Sequence, residues 1–392
     1  MKNDFNNRKW LVVFGAVLIQ LCIGAVYTWS LFNEPLVSKF GWKRSGVVFT
    51  FSITIAVFSF FTIVGGRLLS KLKVRWVASL GAVFLGIGLM LSSTASSLTE
   101  LYLYYGLIAG IGIGISYVCP LSTCIKWFPD KKGFITGIIV GAFGLGSLIF
   151  KSVAQYFITT RGVSEAFFFL GIIYMVLCLF GSQFLQVPDG STLQTTSTSG
   201  KVIEFNTREL LHHPTFYLLW IIFLFGCVSG LKIIGLAKDI GIELVKLTPE
   251  TAANTVSVIA IFNACGRLFW GALSDRIGRI RTVRYMFVIT AIAMIIKTIV
   301  TLNFTVFFIT TAMIALCFGG FLAVFPTITA DFFGMKNLAV NYGLMFQANG
   351  MAAIIGPIVA ASISFKASFI LAAFLSILAL IITLFIKKPV HT

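Results

Sequence analysis

Charge is what this chain has least of. Of 392 residues only 11% are Asp, Glu, Lys or Arg, against about 25% in a water-soluble domain, and this excludes a soluble enzyme. Histidine is scarcer still. His212, His213 and His391 fall in loops or the tail, so no nucleophile and base pairing and no metal cluster can be assembled around them, and neither catalysis nor a cofactor or metal is expected. Seven cysteines, Cys22, Cys119, Cys124, Cys178, Cys227, Cys265 and Cys317, show no paired C-x-x-C spacing and lie in apolar runs. They read as small buried hydrophobes rather than a disulfide framework or a zinc site. No hydrophilic stretch is long enough for a separate soluble domain, since the largest runs only from Pro188 to about His213.

Apolar surface is what the chain has in excess. Hydrophobic residues make up 58%, with 40 Phe, 10 Tyr and 7 Trp, and the mean hydropathy is +0.98. That excludes a disordered chain and points to a protein dissolved in lipid. Crossing about 30 Å of hydrocarbon takes roughly 20 apolar residues as a helix. Twelve such runs can be marked, near 10–32, 46–66, 76–94, 101–125, 134–158, 166–186, 215–237, 252–273, 283–302, 304–328, 338–362 and 367–386. The first is longer than a secretory signal core and no small-residue cleavage site follows it, so it is expected to stay in the mature protein.

An even number of spans puts both termini on one side. Loops on that side carry 19 Lys and Arg and the opposite loops 7, while Lys151, Lys232, Arg267 and Lys297 fall inside spans. The bias predicts cytoplasmic termini in a multi-pass protein of the cytoplasmic membrane. The formal charge of +17 is then a topology signal and an attraction to anionic lipid, and nucleic acid is not implied.

The chain also repeats itself. An offset of 206 lays Gly24 on Gly230, Pro120 on Pro326, Gly137 on Gly343 and Gly144 on Gly350, and an offset of 205 lays Gly66 on Gly271. Small residues and prolines recurring in order suggest close helix crossings and kinks built twice. The expected organisation is a six-helix bundle over 1–187, a Ser/Thr-rich cytoplasmic linker over 188–213 and a second six-helix bundle over 214–392. Such a doubled plan suits a carrier whose halves rock about a site at mid-depth.

The loop after the eighth run reads GALSDRIGR, Gly271 to Arg279, and resembles the G-x-x-x-D-R-x-G-R signature of the major facilitator superfamily. Its first-half counterpart, GRLLSKLKVR from Gly66 to Arg75, keeps the glycine and the basic residues but carries Ser70 in place of the acid. Three further segments, GAVYTWSLF (Gly24 to Phe32), FNACGRLFWG (Phe262 to Gly271) and NYGLMFQANGMAAIIGP (Asn341 to Pro357), are similar to the oxalate/formate antiporter and bacterial monocarboxylate transporter branch. The resemblance implies an all-α membrane protein with twelve transmembrane helices in two pseudo-symmetric bundles. It also implies a gating motif of Gly271, Asp275, Arg276, Gly278 and Arg279, in which Asp275 pairs with Arg276, Arg279 or a neighbouring helix.

Arg267 lies eight residues before Asp275, about 12 Å deeper along a helix. A guanidinium at that depth is costly unless it faces protein or water, and its planar fork matches a carboxylate. Asn263, one turn away, can bond the hydroxyl or keto oxygen of a substrate. In the oxalate-transporting relatives a second cation occupies the middle of an A-K-G triplet; here the triplet is Ala348, Asn349, Gly350. One cation facing an amide favours a monocarboxylate over a dianion. Tyr27, Tyr117, Phe318 and Phe143 are candidates for the apolar walls. Lys151 and Lys297 read as interface anchors or lipid-facing snorkelers, and Lys232, near the outer end of its span, either supplies a replacement cation or reaches the interface. No Asp or Glu lies at mid-depth, so a proton would travel on Asp239, Glu243 or the substrate pair.

The expected activity is secondary transport of lactate, pyruvate or formate by alternating access, coupled to protons, with the monomer as the working unit and a small organic anion, protons and membrane lipids as partners. An oxalate/formate-type exchanger, a broader organic-anion exporter and a non-transporting sensor of the same fold are the alternatives.

Overall fold

The computed structural model describes residues 2–188, 204–235, 237–362 and 364–387. Among these residues the secondary structure is helical throughout. Twelve long helices follow one another: α1 (Lys2–Gly24), α2 (Arg44–Leu69), α3 (Val74–Ser92), α4 (Gly110–Trp127), α5 (Lys132–Arg161), α6 (Val163–Gln183), α7 (Pro214–Gly235), α8 (Pro249–Ile277), α9 (Arg279–Ile299), α10 (Phe304–Phe333), α11 (Leu338–Ser362) and α12 (Phe365–Leu384). A 3₁₀ segment, Ala25–Leu31, prolongs α1, and a π-helical stretch, Tyr102–Ala109, leads into α4. Eleven of the helical stretches are long and apolar enough to cross a membrane. The remaining long helix, α8, has 29 residues and carries Asn263, Arg267 and Asp275. At about 1.5 Å per residue it too is long enough to span.

Local chemistry sets the helix ends. Thr248 accepts a hydrogen bond from the Thr251 amide, with Pro249 in the first turn, and so starts α8. Gly278, at φ +93° and ψ 150°, separates α8 from α9. An L side chain is strained in that region, which accounts for a glycine at this point of the motif. Most of the expected linker, residues 189–203, lies outside the described residues. Its end holds a short helix, Thr207–His212, that begins with a reciprocal capping box between Asn206 and Glu209.

The chain forms two compact units. Unit 1 comprises 1–129, 142–204 and 334–350; unit 2 comprises 130–141, 205–333 and 351–392. These bounds differ from a cut at the linker in two helices, because the start of α5 clusters with unit 2 and the start of α11 with unit 1. Glycines make this possible by letting backbones meet. Within unit 2, a Cβ on Gly271 would fall 2.4 Å from the Gly133 carbonyl oxygen, and one on Gly137 would fall 2.6 Å from that of Arg267. Within unit 1, Gly66 abuts Ala339 and Val340, and Gly343 abuts Thr62 and Ile63. The offsets of 205 and 206 carry Gly66 onto Gly271, Thr62 onto Arg267 and Gly137 onto Gly343. One helix crossing has been built twice, and a different side chain has been placed in each copy.

Candidate functional site

In unit 2, α8 packs closely along α10. A side chain on Gly266 would strike the Leu316 carbonyl, and one on Gly319 would strike the Asn263 carbonyl and the Arg267 stem. This seam, with the Gly137 crossing, encloses Arg267 until it is only 2% exposed. Its Nη1 donates to the Val140 carbonyl oxygen, and its Nη2 donates to Asn263 Oδ1 at 3.0 Å. Asn263 in turn donates from Nδ2 to the Ala315 carbonyl at 3.2 Å. Both of these bonds go to neutral oxygens, and they fix the orientation of the guanidinium. Asn263 therefore acts on the arginine, a role its spacing of four residues allowed.

Three aromatic candidates meet in unit 1. Tyr27 and Phe143 are edge-on at 5.6 Å between ring centres, and Phe143 and Tyr117 at 5.3 Å. Two rings that sequence reasoning missed complete the cluster: Phe58 lies 5.1 Å from Tyr117 and 5.9 Å from Phe143, and Phe346 lies 4.9 Å from Tyr117. The repeat could have found both, since Phe58 is the counterpart of Asn263 and Phe346 that of Val140. The arginine-binding crossing of one unit is thus an aromatic crossing in the other. Asn349, three residues beyond Phe346 on α11, is 5% exposed, and its Oδ1 has no hydrogen-bond partner among the described residues. Gln347 was also missed. Its Nε2 donates to the carbonyls of Ser59 at 2.6 Å and Gly343 at 2.8 Å, pinning α11 to α2. Phe318, in unit 2, packs its ring on Gly230 of α7.

The motif between α8 and α9 is a charged latch. Asp275 accepts from the backbone amides of Gly133 at 2.9 Å and Phe134 at 2.8 Å, at the first turn of α5. Arg279 pairs with Asp275 at 2.6 Å and, through Nε, with Asp331 at 2.9 Å, while Lys132 reaches Asp331 at 2.7 Å. A carboxylate on free amides at a helix start gains from the helix dipole as well as from two charge-assisted bonds. Arg276 is exposed and makes no ion pair among the described residues, so Arg279 is the partner that Asp275 uses. Asp331, from the end of α10, was not foreseen as a member.

Two expectations need correcting. Lys297 is no interface anchor: it is 3% exposed, its Nζ lies 2.8 Å from Thr311 Oγ1, and the rings of Phe307 and Phe369 stand 5.0 and 5.6 Å away. Its sequence position near the end of α9 suggested a free tip, but α10 and α12 enclose it. Cys265 is exposed, whereas the other six cysteines are buried; apolar surroundings in a membrane helix do not distinguish protein from lipid. Lys151 is exposed as expected. The side chains of Lys232 and Asp239 lie outside the described residues.

Comparison with known proteins agrees with this plan. The family model of the Major Facilitator Superfamily matches residues 10–245 and 228–392, a match for each half. An uncharacterized MFS-type transporter, YhjX, of Escherichia coli (strain K12) is 36% identical over 90% of this chain and 87% of its own length. An oxalate:formate antiporter of Oxalobacter formigenes is 29% identical over 97% of this chain and 91% of its own. Among solved structures, the proton:xylose symporter XylE superposes with a TM-score of 0.71 at 14% identity, covering 98% of this chain and 97% of that one. With the family model matched in both halves, the chain belongs to the major facilitator superfamily as a multi-pass membrane transporter.

Proposed function

We propose that this transporter carries a small monocarboxylate, of the size of lactate, pyruvate or formate, on Arg267, by alternating access coupled to protons. One observation carries the reading: a guanidinium buried in a membrane helix is held in a fixed orientation by the Val140 carbonyl and Asn263 Oδ1. Buried ionisable groups in spans are costly and mark ion or substrate pathways. A carboxylate is the complement of that fork. Asn263 orients the fork and is available to a substrate's hydroxyl or keto oxygen. Tyr27, Tyr117 and Phe143, with Phe58 and Phe346, form an apolar cluster within unit 1 of a kind suited to a methyl or methylene group.

The likeness to an oxalate:formate antiporter supports a second reading, exchange of oxalate for formate. Asn349 argues against it, because an amide supplies no second cation for a dianion. Both halves of the superfamily plan face the same membrane, and the excess of cations in the terminus-side loops supports cytoplasmic termini.

The test is counterflow in liposomes with labelled lactate, pyruvate, formate and oxalate, run with and without an imposed pH gradient. Uptake of the monocarboxylates, driven by an inward proton gradient, is the expected result. Uptake of oxalate alone, indifferent to pH, would establish the exchanger, and no uptake of any of the four would reject the assignment to carboxylates.

A further inference from the structure

The two halves differ at the place where the latch is built. In unit 2 two carboxylates, Asp275 and Asp331, bind Lys132, Arg279 and the start of α5. The counterpart of Asp275 in unit 1 is Ser70. Asp331 stands five residues after Pro326, and the same stretch after Pro120 holds Ile125 and then Lys126. Both acids are gone, and lysines remain.

The structure has a space there. A cavity of about 120 Å³ lies entirely within unit 1, against the α2–α3 loop, the end of α4 and the start of α11, and is lined by Ser70, Lys73, Ser122, Thr123, Lys126 and Lys336 among others. None of the three lysines forms an ion pair among the described residues. Among the described residues, Glu204 is an acid whose field reaches Lys126. Its two oxygens are engaged by the backbone amides of Met335 at 3.1 Å and Lys336 at 2.8 Å. The hydroxyls of Ser70 and Ser122 already donate to the carbonyls of Arg67 and Val118, and the ammonium groups add charged donors to the lining. The start of α11 adds the positive end of a 25-residue helix.

We infer that this cavity is a binding site for a phosphate-type oxyanion, which takes the place of the two missing carboxylates and ties the α2–α3 loop to α4 and α11 through Lys73, Lys126 and Lys336. Several ammonium groups around one space suit an anion with more than one charge and several acceptor oxygens. The same chemistry is presented by free phosphate and by the phosphodiester of an anionic lipid. An anion in this position would make the first latch dependent on its surroundings, while the second carries its own carboxylates.

The full chain is to be purified into nanodiscs of phosphatidylcholine. In one arm inorganic phosphate is titrated against chloride of equal ionic strength; in the other, phosphatidylglycerol replaces part of the lipid and no phosphate is added. Thermal midpoint and equilibrium binding of labelled phosphate are read. A saturable rise in midpoint is expected in at least one arm. A response to phosphate assigns the soluble ion, and a response to phosphatidylglycerol alone assigns the lipid. Lys73→Gln with Lys126→Gln should weaken the response at least tenfold. Ser70→Asp, which restores a resident carboxylate, should remove it while the protein stays folded. No response in either arm, or a response of unchanged strength in the lysine variant, would overturn the inference.

Discussion

Arg267 and Asn349 are both polar side chains buried within their own units. Arg267 brings a full positive charge into α8, and Asn349 brings none into α11. If cargo charge is matched by counting cations, Asn349→Lys should shift the preference in counterflow from monocarboxylates toward oxalate and other dicarboxylates; an unchanged profile would reject that argument. The pairing of Arg267 with Asn263 was legible in the sequence because residues four apart on a helix share a face. Val140 was not, since it comes from another helix 127 positions away and offers only a backbone oxygen. Phe58 and Phe346 were hidden for a different reason. Among 40 Phe no single ring stands out until the repeat is used to ask what occupies the counterpart of a polar position. Lys297 was misread because a long side chain near a helix end can reach the interface, and only packing by Phe307 and Phe369 shows that this one does not.

At the scale of elements, the latch joins four helices, α5, α8, α9 and α10, through two acids, Asp275 and Asp331. Asp275 holds the first turn of α5 by two amides, and each bond to a charged group contributes about 1.5–3 kcal/mol. Asp275→Ala should therefore speed hydrogen exchange at the Gly133 and Phe134 amides by roughly tenfold or more, with the remote helices α3 and α6 unchanged. Equal exchange in variant and wild type would show that these bonds hold nothing. The helices themselves were largely readable, because runs of about 20 apolar residues have few other uses. The motif glycine Gly278 was visible as a letter, and its φ of +93° supplies the reason. What the sequence did not show was that the starts of α5 and α11 pack with the other half of the chain. Periodicity describes one helix at a time, and the glycines of these crossings read equally well as contacts within a half.

For the molecule as a whole, duplication explains the backbone and divergence explains the chemistry. The same glycine crossing carries Arg267 in one unit and Thr62 in the other, the same loop position carries Asp275 or Ser70, and the same wall position carries Asn263 or Phe58. A duplicated sequence thus bears one buried arginine, one aromatic cluster, one carboxylate latch and one cationic cavity among the described residues. The account turns on the arginine. Counterflow of labelled lactate, pyruvate and formate should be measured side by side for wild type and Arg267→Ala in liposomes, with the folded state of both checked by elution and thermal midpoint. Losing a buried charged partner costs about 2 kcal/mol or more, so the variant is expected to retain less than about one thirtieth of the wild-type rate for each substrate that the wild type carries. A folded Arg267→Ala protein that still exchanges these anions at the wild-type rate would contradict the account.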